Sequence, residues 1–336
     1  MQRPDTQGGK CFGQGQAAAS SSSIELSSSS SSSSSFLFFL SLCWAGVFWM
    51  LSGLTNLSLG QEEAAMIYDR DDRWPVTWAT DFQQRLASGV AALIRKERLI
   101  PVGQSNFYHL KGKTLAELGY DPRMRYADEV SAAECTGFLI DQDVLVTARH
   151  CIFDEQCNQD YVWVFNYKDY GRRYYFIHQD DVYTCKKVLK QEKNVNKGVD
   201  WAVLALDRPA VMQQPFLYRQ AGTVSPNQEV ISFGFPSGMP MKIILDGRVV
   251  DNSAPGFFTA SLDAFVGNSG SPVVDPASGI VEGLLARGGL DYHTDQKTGL
   301  KVPIKVGNSY RLAEEVVRIT QIPLAKILAQ YERERD

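Results

Sequence analysis

The chain has 336 residues with 34 Lys+Arg against 38 Asp+Glu, a net charge of −4 and no basic run or basic helical face. That balance excludes a nucleic-acid partner recruited by positive charge. The length allows one large domain or two moderate ones with well-buried cores.

The first sixty residues read as address rather than fold. Residues 20–35 are serine at thirteen of sixteen positions, a tract too poor in apolar side chains to build a core. Residues 36–54, FLFFLSLCWAGVFWMLSGL, carry no charge over nineteen positions, which is long for a signal-peptide core and barely long enough to cross a bilayer. Ser58-Leu59-Gly60 suits a cleavage site, whereas no Lys or Arg stands immediately before the run, which argues against cleavage. A buried soluble helix is the alternative. As signal or as anchor, the run implies an exported chain: secreted, periplasmic or membrane-anchored facing outward, touching membrane only through this segment.

Cys11 and Cys43 fall in this leader, which leaves Cys135, Cys151, Cys157 and Cys185 downstream. An even count in an exported chain points to two disulfides, with three connectivities open. No CxxC or HxxxH pairing accompanies the cysteines, so no zinc site is expected, nor any other metal or cofactor.

Residues 61–130 read as an N-terminal extension. ATDFQQRLASGVAALIRKE spaces Phe82, Leu86, Val90, Leu93 and Ile94 as on a helix, with Thr80 and Gln83 in capping-box register. From Cys135 onward the texture changes to short apolar runs (TGFLI, DVLVTA, YVWVF, WAVLAL, EVISFGF, MKIIL, SPVVD, GIVEGLLA) separated by turn residues, the pattern of β-barrels or a sandwich. SYRLAEEVVRI and PLAKILAQYERERD close the chain with helical patterns, the second with Pro323 in first-turn position.

FVGNSGSPVVD, residues 265–275, sets Ser269 in a glycine-rich bend running into an apolar strand. Turns collect such residues for backbone reasons alone. A nucleophilic serine also needs a base, a carboxylate to orient the base, and donors for the oxyanion. Of four histidines, His150 in VLVTARHCI ends an apolar strand beside Cys151. A bridge from Cys151 to Cys135 would clamp the strand pair carrying it; closing a loop of fifteen intervening residues is worth about 3 kcal/mol. The expected pairing is therefore Cys135–Cys151 and, by elimination, Cys157–Cys185. His109 and His178 read as structural, and His293 as a loop residue. Asp200 opens DWAVLALDRP, where an acid at the head of an apolar run sits at a core edge within reach of an imidazole.

TARHC, DWAVLAL and GNSGSPV resemble, in chain order, the three active-site blocks of chymotrypsin/trypsin-like serine peptidases. IYDRDDRWPV, FGFPSGMPMKI and VEGLLARGG resemble the bacterial trypsin-like and glutamyl-endopeptidase branch. The resemblance implies an all-β fold, two six-stranded antiparallel β-barrels over residues 131–336 ending in a helix. It also implies a serine endopeptidase acting on protein or peptide substrates. Ser269 would be the nucleophile, His150 the general acid and base, Asp200 the orienting carboxylate, and the amides of Gly267 and Ser269 the oxyanion hole. Ala286-Arg287-Gly288 would pair with substrate backbone as an added strand. Asn268 fills the place of the aspartate that receives the freed N-terminus in trypsin-like zymogens, so no such switch is expected.

Asp263, six residues before Ser269, falls where trypsins carry the acid at the floor of the specificity pocket, which implies cleavage after Arg or Lys. A structural aspartate is the other reading. Phe265 stands where trypsins have a cysteine, and Leu285 where glutamyl endopeptidases present a histidine. Two other readings of the chain differ in class. An α/β-hydrolase would need a G-x-S-x-G elbow, a following helix and a downstream histidine, whereas Ser271 replaces the second glycine and a strand pattern follows. A catalytically inactive trypsin-like binding module would keep the fold without the complete triad.

Overall fold

Apolar runs bounded by turn residues form antiparallel strands through most of the described chain, which comprises residues 67–68, 70–154, 157–171, 175–306 and 313–335 of a computed structural model. The serine tract and the apolar run 36–54 lie outside the described residues. No helix among the described residues is long and apolar enough to cross a membrane.

The first lobe is a seven-stranded sheet in the order Val182–Tyr183, Tyr161–Val164, Val90–Arg95, Ala133–Asp141, Val144–Thr147, Val199–Leu206 and Cys185–Asn194. It curls into a half-barrel. The second lobe closes: Glu229–Gly234, Pro272–Val274, Val281–Arg287, Glu314–Arg318, Phe257–Ala260 and Lys242–Asp251 form a ring, because the last of these pairs back with the first. Arg73–Pro75 adds to the outside of Lys242–Asp251. The two-lobed, mostly β fold is thus the trypsin-like arrangement, with the first lobe left open.

Two segments that scan as helix are strands. Asp81–Ser88 is a helix with the expected cap, Thr80 and Gln83 exchanging bonds of 3.0 and 3.3 Å. It stops at Gly89, where a Cβ would overlap the Gln214 carbonyl. Val90–Ile94 then runs as a strand between Ala133–Asp141 and Tyr161–Val164, each residue fully buried. A strand covered on both faces reads as a continuous apolar run, which periodicity cannot tell from a buried helix. The same ambiguity affects EEVVR, where Glu314–Arg318 joins two strands of the closed barrel. The β-branched Val316-Val317 pair suits that setting.

Residues 61–130 are therefore not an extension ahead of the core, because Val90–Arg95 is an inner strand of the first lobe. The stretch before Val130 is also tied in. Arg125 donates to the carbonyls of Asp71 and Arg73 at 2.7 and 2.8 Å, and Lys242 of the closed barrel reaches both oxygens of Glu129 at 2.8 and 2.6 Å. The C-terminal helix Leu324–Arg335 crosses back to the first lobe, where Tyr331 Oη donates to Asp143 at 3.0 Å.

Both expected disulfides are present, Cys135–Cys151 and Cys157–Cys185. Proteolytic mapping of the oxidised protein should recover these two pairs. A peptide joining Cys135 to Cys157 or Cys185 would contradict the fold around the first lobe.

Candidate active site

His150 lies on a single helical turn, Arg149–Cys151, that ends the strand Val144–Thr147. The adjacent strand Val199–Leu206 is in register with it through Ala202 and Thr147, which brings Asp200 alongside the turn. The carboxylate holds His150 twice: Oδ1 accepts from the backbone N–H at 3.0 Å, and Oδ2 lies 3.1 Å from Nδ1. One bond alone would let the ring swing; the two together fix its direction. Burial works against the charge on Asp200. The bonds from His150 and the nearby Lys193 ammonium at 3.8 Å outweigh it and hold the carboxyl below the usual carboxylate range. Asp200 therefore stays ionised.

Ser269 sits in the loop between the strands Phe257–Ala260 and Pro272–Val274. This second-lobe loop is fastened to the first lobe by Thr136, whose N–H donates to the Ser269 carbonyl at 2.9 Å and whose Oγ1 donates to the Gly267 carbonyl at 2.7 Å. Its neighbour Cys135 is bridged to Cys151, whose sulfur lies 3.6 Å from the Ser269 carbonyl. The serine loop and the histidine turn thus converge on the same two residues of one strand. Sequence reading missed Thr136, which carries no motif signal.

The loop conformation demands glycine at two points. Gly267 has φ +97° and Gly270 φ +88°, and a Cβ on either would overlap a backbone oxygen, that of Phe235 or that of Thr136. Within this bend Asn268 N–H bonds Phe265, Gly270 N–H bonds Leu285 and Ser271 N–H bonds Asn268. Among the described residues, nothing accepts from the amides of Gly267 and Ser269. Two alternate donors left over beside a serine are what an oxyanion needs.

A cleft of about 420 Å³ opens beside this loop, lined by Ser269, Ala286, Arg287, Gly288, Asp291 and Glu314, among others. The segment expected to meet substrate backbone is therefore at the cleft wall. Cys135, His150 and Cys151 also cluster within 4.8 Å, but the two sulfurs are consumed by their mutual bond and offer no thiolate to a metal. His109 and His178 lie on the strands Phe107–Leu110 and Phe176–His178, and His293 lies on a short strand, Tyr292–Thr294, rather than in a loop.

Asp263 is not a pocket floor. It is 1% exposed, with Oδ1 accepting from the Tyr68 amide at 2.8 Å and Oδ2 from the Asp72 amide at 3.0 Å. The N-terminal segment occupies the carboxylate that was expected to meet substrate. Asp72 beside it is pushed up to about 9 by burial and by the Asp263 charge, and Asp263 itself to about 6 by burial. Both folded values lie above the unfolded ones, so the native state holds extra protons between the ordinary carboxylate range and about pH 9. Stability should fall as pH rises through that window. Asp72→Asn, which keeps a donor toward Asp263, should flatten the fall. Melting temperatures of both proteins from pH 4 to 9 check this, and equal slopes would refute it.

Residues 135–284, a little under half of the chain, match the family model described as Trypsin-like peptidase domain, which supports a serine-type peptidase. Solved structures similar to it include the active form of the Rv3671c protease from M. tuberculosis, at 15% identity over 79% of this chain and 89% of that one, with a TM-score of 0.42. The inactive form of the same protease aligns at 15% identity over 77% and 96%, with a TM-score of 0.43. A Glu endopeptidase aligns at 13% identity over 72% and 97%, with a TM-score of 0.41. Comparison with curated proteins returns no significant match.

Proposed function

We propose that this protein is an exported serine endopeptidase that hydrolyses peptide bonds in protein or peptide substrates through an acyl-enzyme. The observation that carries this is the double hold of Asp200 on His150, at 3.0 and 3.1 Å, on a turn whose Cys151 sulfur lies 3.6 Å from the Ser269 carbonyl. With Nδ1 donating to the carboxylate, Nε2 is the nitrogen free to take the Ser269 proton as Oγ attacks the substrate carbonyl. The carbonyl becomes an oxyanion facing the Gly267 and Ser269 amides. His150 then returns the proton to the leaving amine, and the same base activates water for deacylation. Asp200 remains ionised and stabilises the imidazolium. Ala286-Arg287-Gly288 would align the substrate as an added strand.

The two disulfides support an oxidising compartment, in keeping with the apolar run 36–54 as signal or anchor. Incubation of the mature chain with a mixed peptide library tests the reading. Cleavage by the wild type but not by Ser269→Ala is expected, and equal product patterns from the two would reject it. Asp263 gives no support to a preference for Arg or Lys, because the amides of Tyr68 and Asp72 hold both of its oxygens.

A further inference from the structure

We propose that Asp291 is a positioning residue for the oxyanion hole. By holding the amide of Val266, its carboxylate keeps the next peptide group turned so that the Gly267 N–H faces the reacting carbonyl. The inference rests on the peptidase reading and assigns that site a further working part.

The Gly267 N–H belongs to the same rigid plane as the Val266 carbonyl, and in a trans peptide the two point in opposite directions. Whatever fixes that carbonyl therefore aims the donor. The Val266 carbonyl accepts from the Ser237 N–H at 2.6 Å. The Val266 N–H, one plane earlier, donates to Asp291 Oδ2 at 2.6 Å. With the planes on both sides of its Cα held, Val266 has no rotation left through which the Gly267 amide could turn away. Packing adds little to this, because Val266 is 61% exposed. The two bonds carry the hold.

They are also linked to each other. Ser237, at φ +54°, shares a hydrogen bond of 2.5 Å with the hydroxyl of Tyr292, the residue after Asp291. The Asp291 carbonyl accepts from the Ile304 N–H at 3.0 Å, and Tyr292 pairs with Pro303, so the carboxylate projects from fixed backbone. Nothing covalent ties the serine loop to this wall. No cysteine follows Cys185, and Phe265 stands where the trypsin resemblance calls for one. The Phe265 ring instead meets that of Tyr292, with centroids 5.2 Å apart. Asp291 supplies the polar half of this non-covalent tie.

The tie responds to protons. Facing Asp291 are Arg73 from Arg73–Pro75, Glu314 from Glu314–Arg318, Tyr120 and Tyr292, while Arg287, His293 and Lys301 line the same cleft. Burial outweighs the Val266 bond and the Arg73 charge, and pushes the Asp291 carboxyl up to about 6. The group is ionised at pH 8 and mostly protonated at pH 5. An ionised acceptor holds an N–H roughly twice as strongly as a neutral one, so the hold on Val266 loosens as pH falls.

The test compares kcat and KM of wild type, Asp291→Ala and Asp291→Asn on one peptide substrate at pH 8 and pH 5. At pH 8 Asp291→Ala should lose about 100-fold in kcat, the cost of a misplaced oxyanion donor, with KM within about threefold of wild type. Fluorophosphonate labelling of Ser269 should slow by a similar factor. Asp291→Asn keeps an amide oxygen for Val266 and should stay within about tenfold of wild type. Its kcat relative to wild type should rise toward one at pH 5, where both proteins present a neutral acceptor. His150 is common to the two and cancels from that ratio, so the ratio decides even if Asp291→Ala fails to fold. Suppose wild-type Ser269 is labelled, but the ratio does not change with pH, or Asp291→Ala keeps its kcat, or its loss is confined to KM. Any of these would remove Asp291 from this role and leave the peptidase reading standing. If wild-type Ser269 is not labelled at all, the peptidase reading falls and the proposal with it.

Discussion

Ser269→Ala and His150→Ala are each expected to lower kcat on the order of 10⁶-fold, with Asp200→Asn costing about 10⁴-fold. In the proposed mechanism the serine and histidine act as one unit: without the base the hydroxyl is a poor nucleophile, and without the hydroxyl the base has nothing to activate. The double replacement should therefore lose little more than either single one. Asp200→Asn differs in kind. It keeps the shape that holds the ring but turns an ionised acceptor into an amide, so the imidazolium formed during attack loses its counter-charge and the tautomer is no longer enforced. Steady-state kinetics on a peptide or ester substrate measures all four proteins. Activity of Ser269→Ala within tenfold of wild type would contradict the assignment. So would a loss in the double variant equal to the product of the single losses.

The second large effect is expected on stability. Lys242 is fully buried and its ammonium meets both oxygens of Glu129, which is 6% exposed. Burial pushes the Glu129 carboxyl up to about 7 despite the opposing pull of Lys242. Lys242→Met leaves that carboxyl buried and alone, which should cost about 3–5 kcal/mol at pH 8, where it would otherwise be ionised. The sign with pH follows directly. The lone carboxyl has a folded pKa raised further above its unfolded value, so stability falls with rising pH, and the loss should be smaller at pH 5, where a proton is readily taken up. Replacing both residues by apolar ones of similar size should recover most of the loss. Urea denaturation of the single and double variants at the two pH values decides this, and a single variant as stable as wild type at pH 8 would refute it. The pair matters to the site because Glu129 precedes the strand that carries Cys135 and Thr136, to which the serine loop is fastened.

What the sequence made legible was local. Ser269 between two glycines, His150 beside a cysteine and Asp200 heading an apolar run each carry their chemistry within a few residues, and the fold brings His150 and Asp200 into bonding contact. The helix ending at Ser88 was legible through its cap, but its continuation into Val90–Ile94 was not, because five apolar residues in a row fit either structure. Asp263 misled for a different reason. Its partners, Tyr68 and Asp72, lie 195 and 191 residues away, so nothing around position 263 reveals that backbone amides take both oxygens. Glu314 was hidden by reading a strand as a helix, which disperses an inward-facing alternation over a helical surface.

The claim on which the rest depends is that Ser269 is an activated nucleophile, and covalent labelling with a fluorophosphonate probes it most directly. The reagent requires a serine made reactive by its base and an oxyanion site to accept the phosphonyl oxygen, the two roles proposed for His150 and for the Gly267 and Ser269 amides. Peptide mapping of the labelled protein should place one phosphonyl group on Ser269, with labelling strongly reduced in His150→Ala. A wild-type protein that stays unlabelled, or one labelled equally well after loss of His150, would contradict the account.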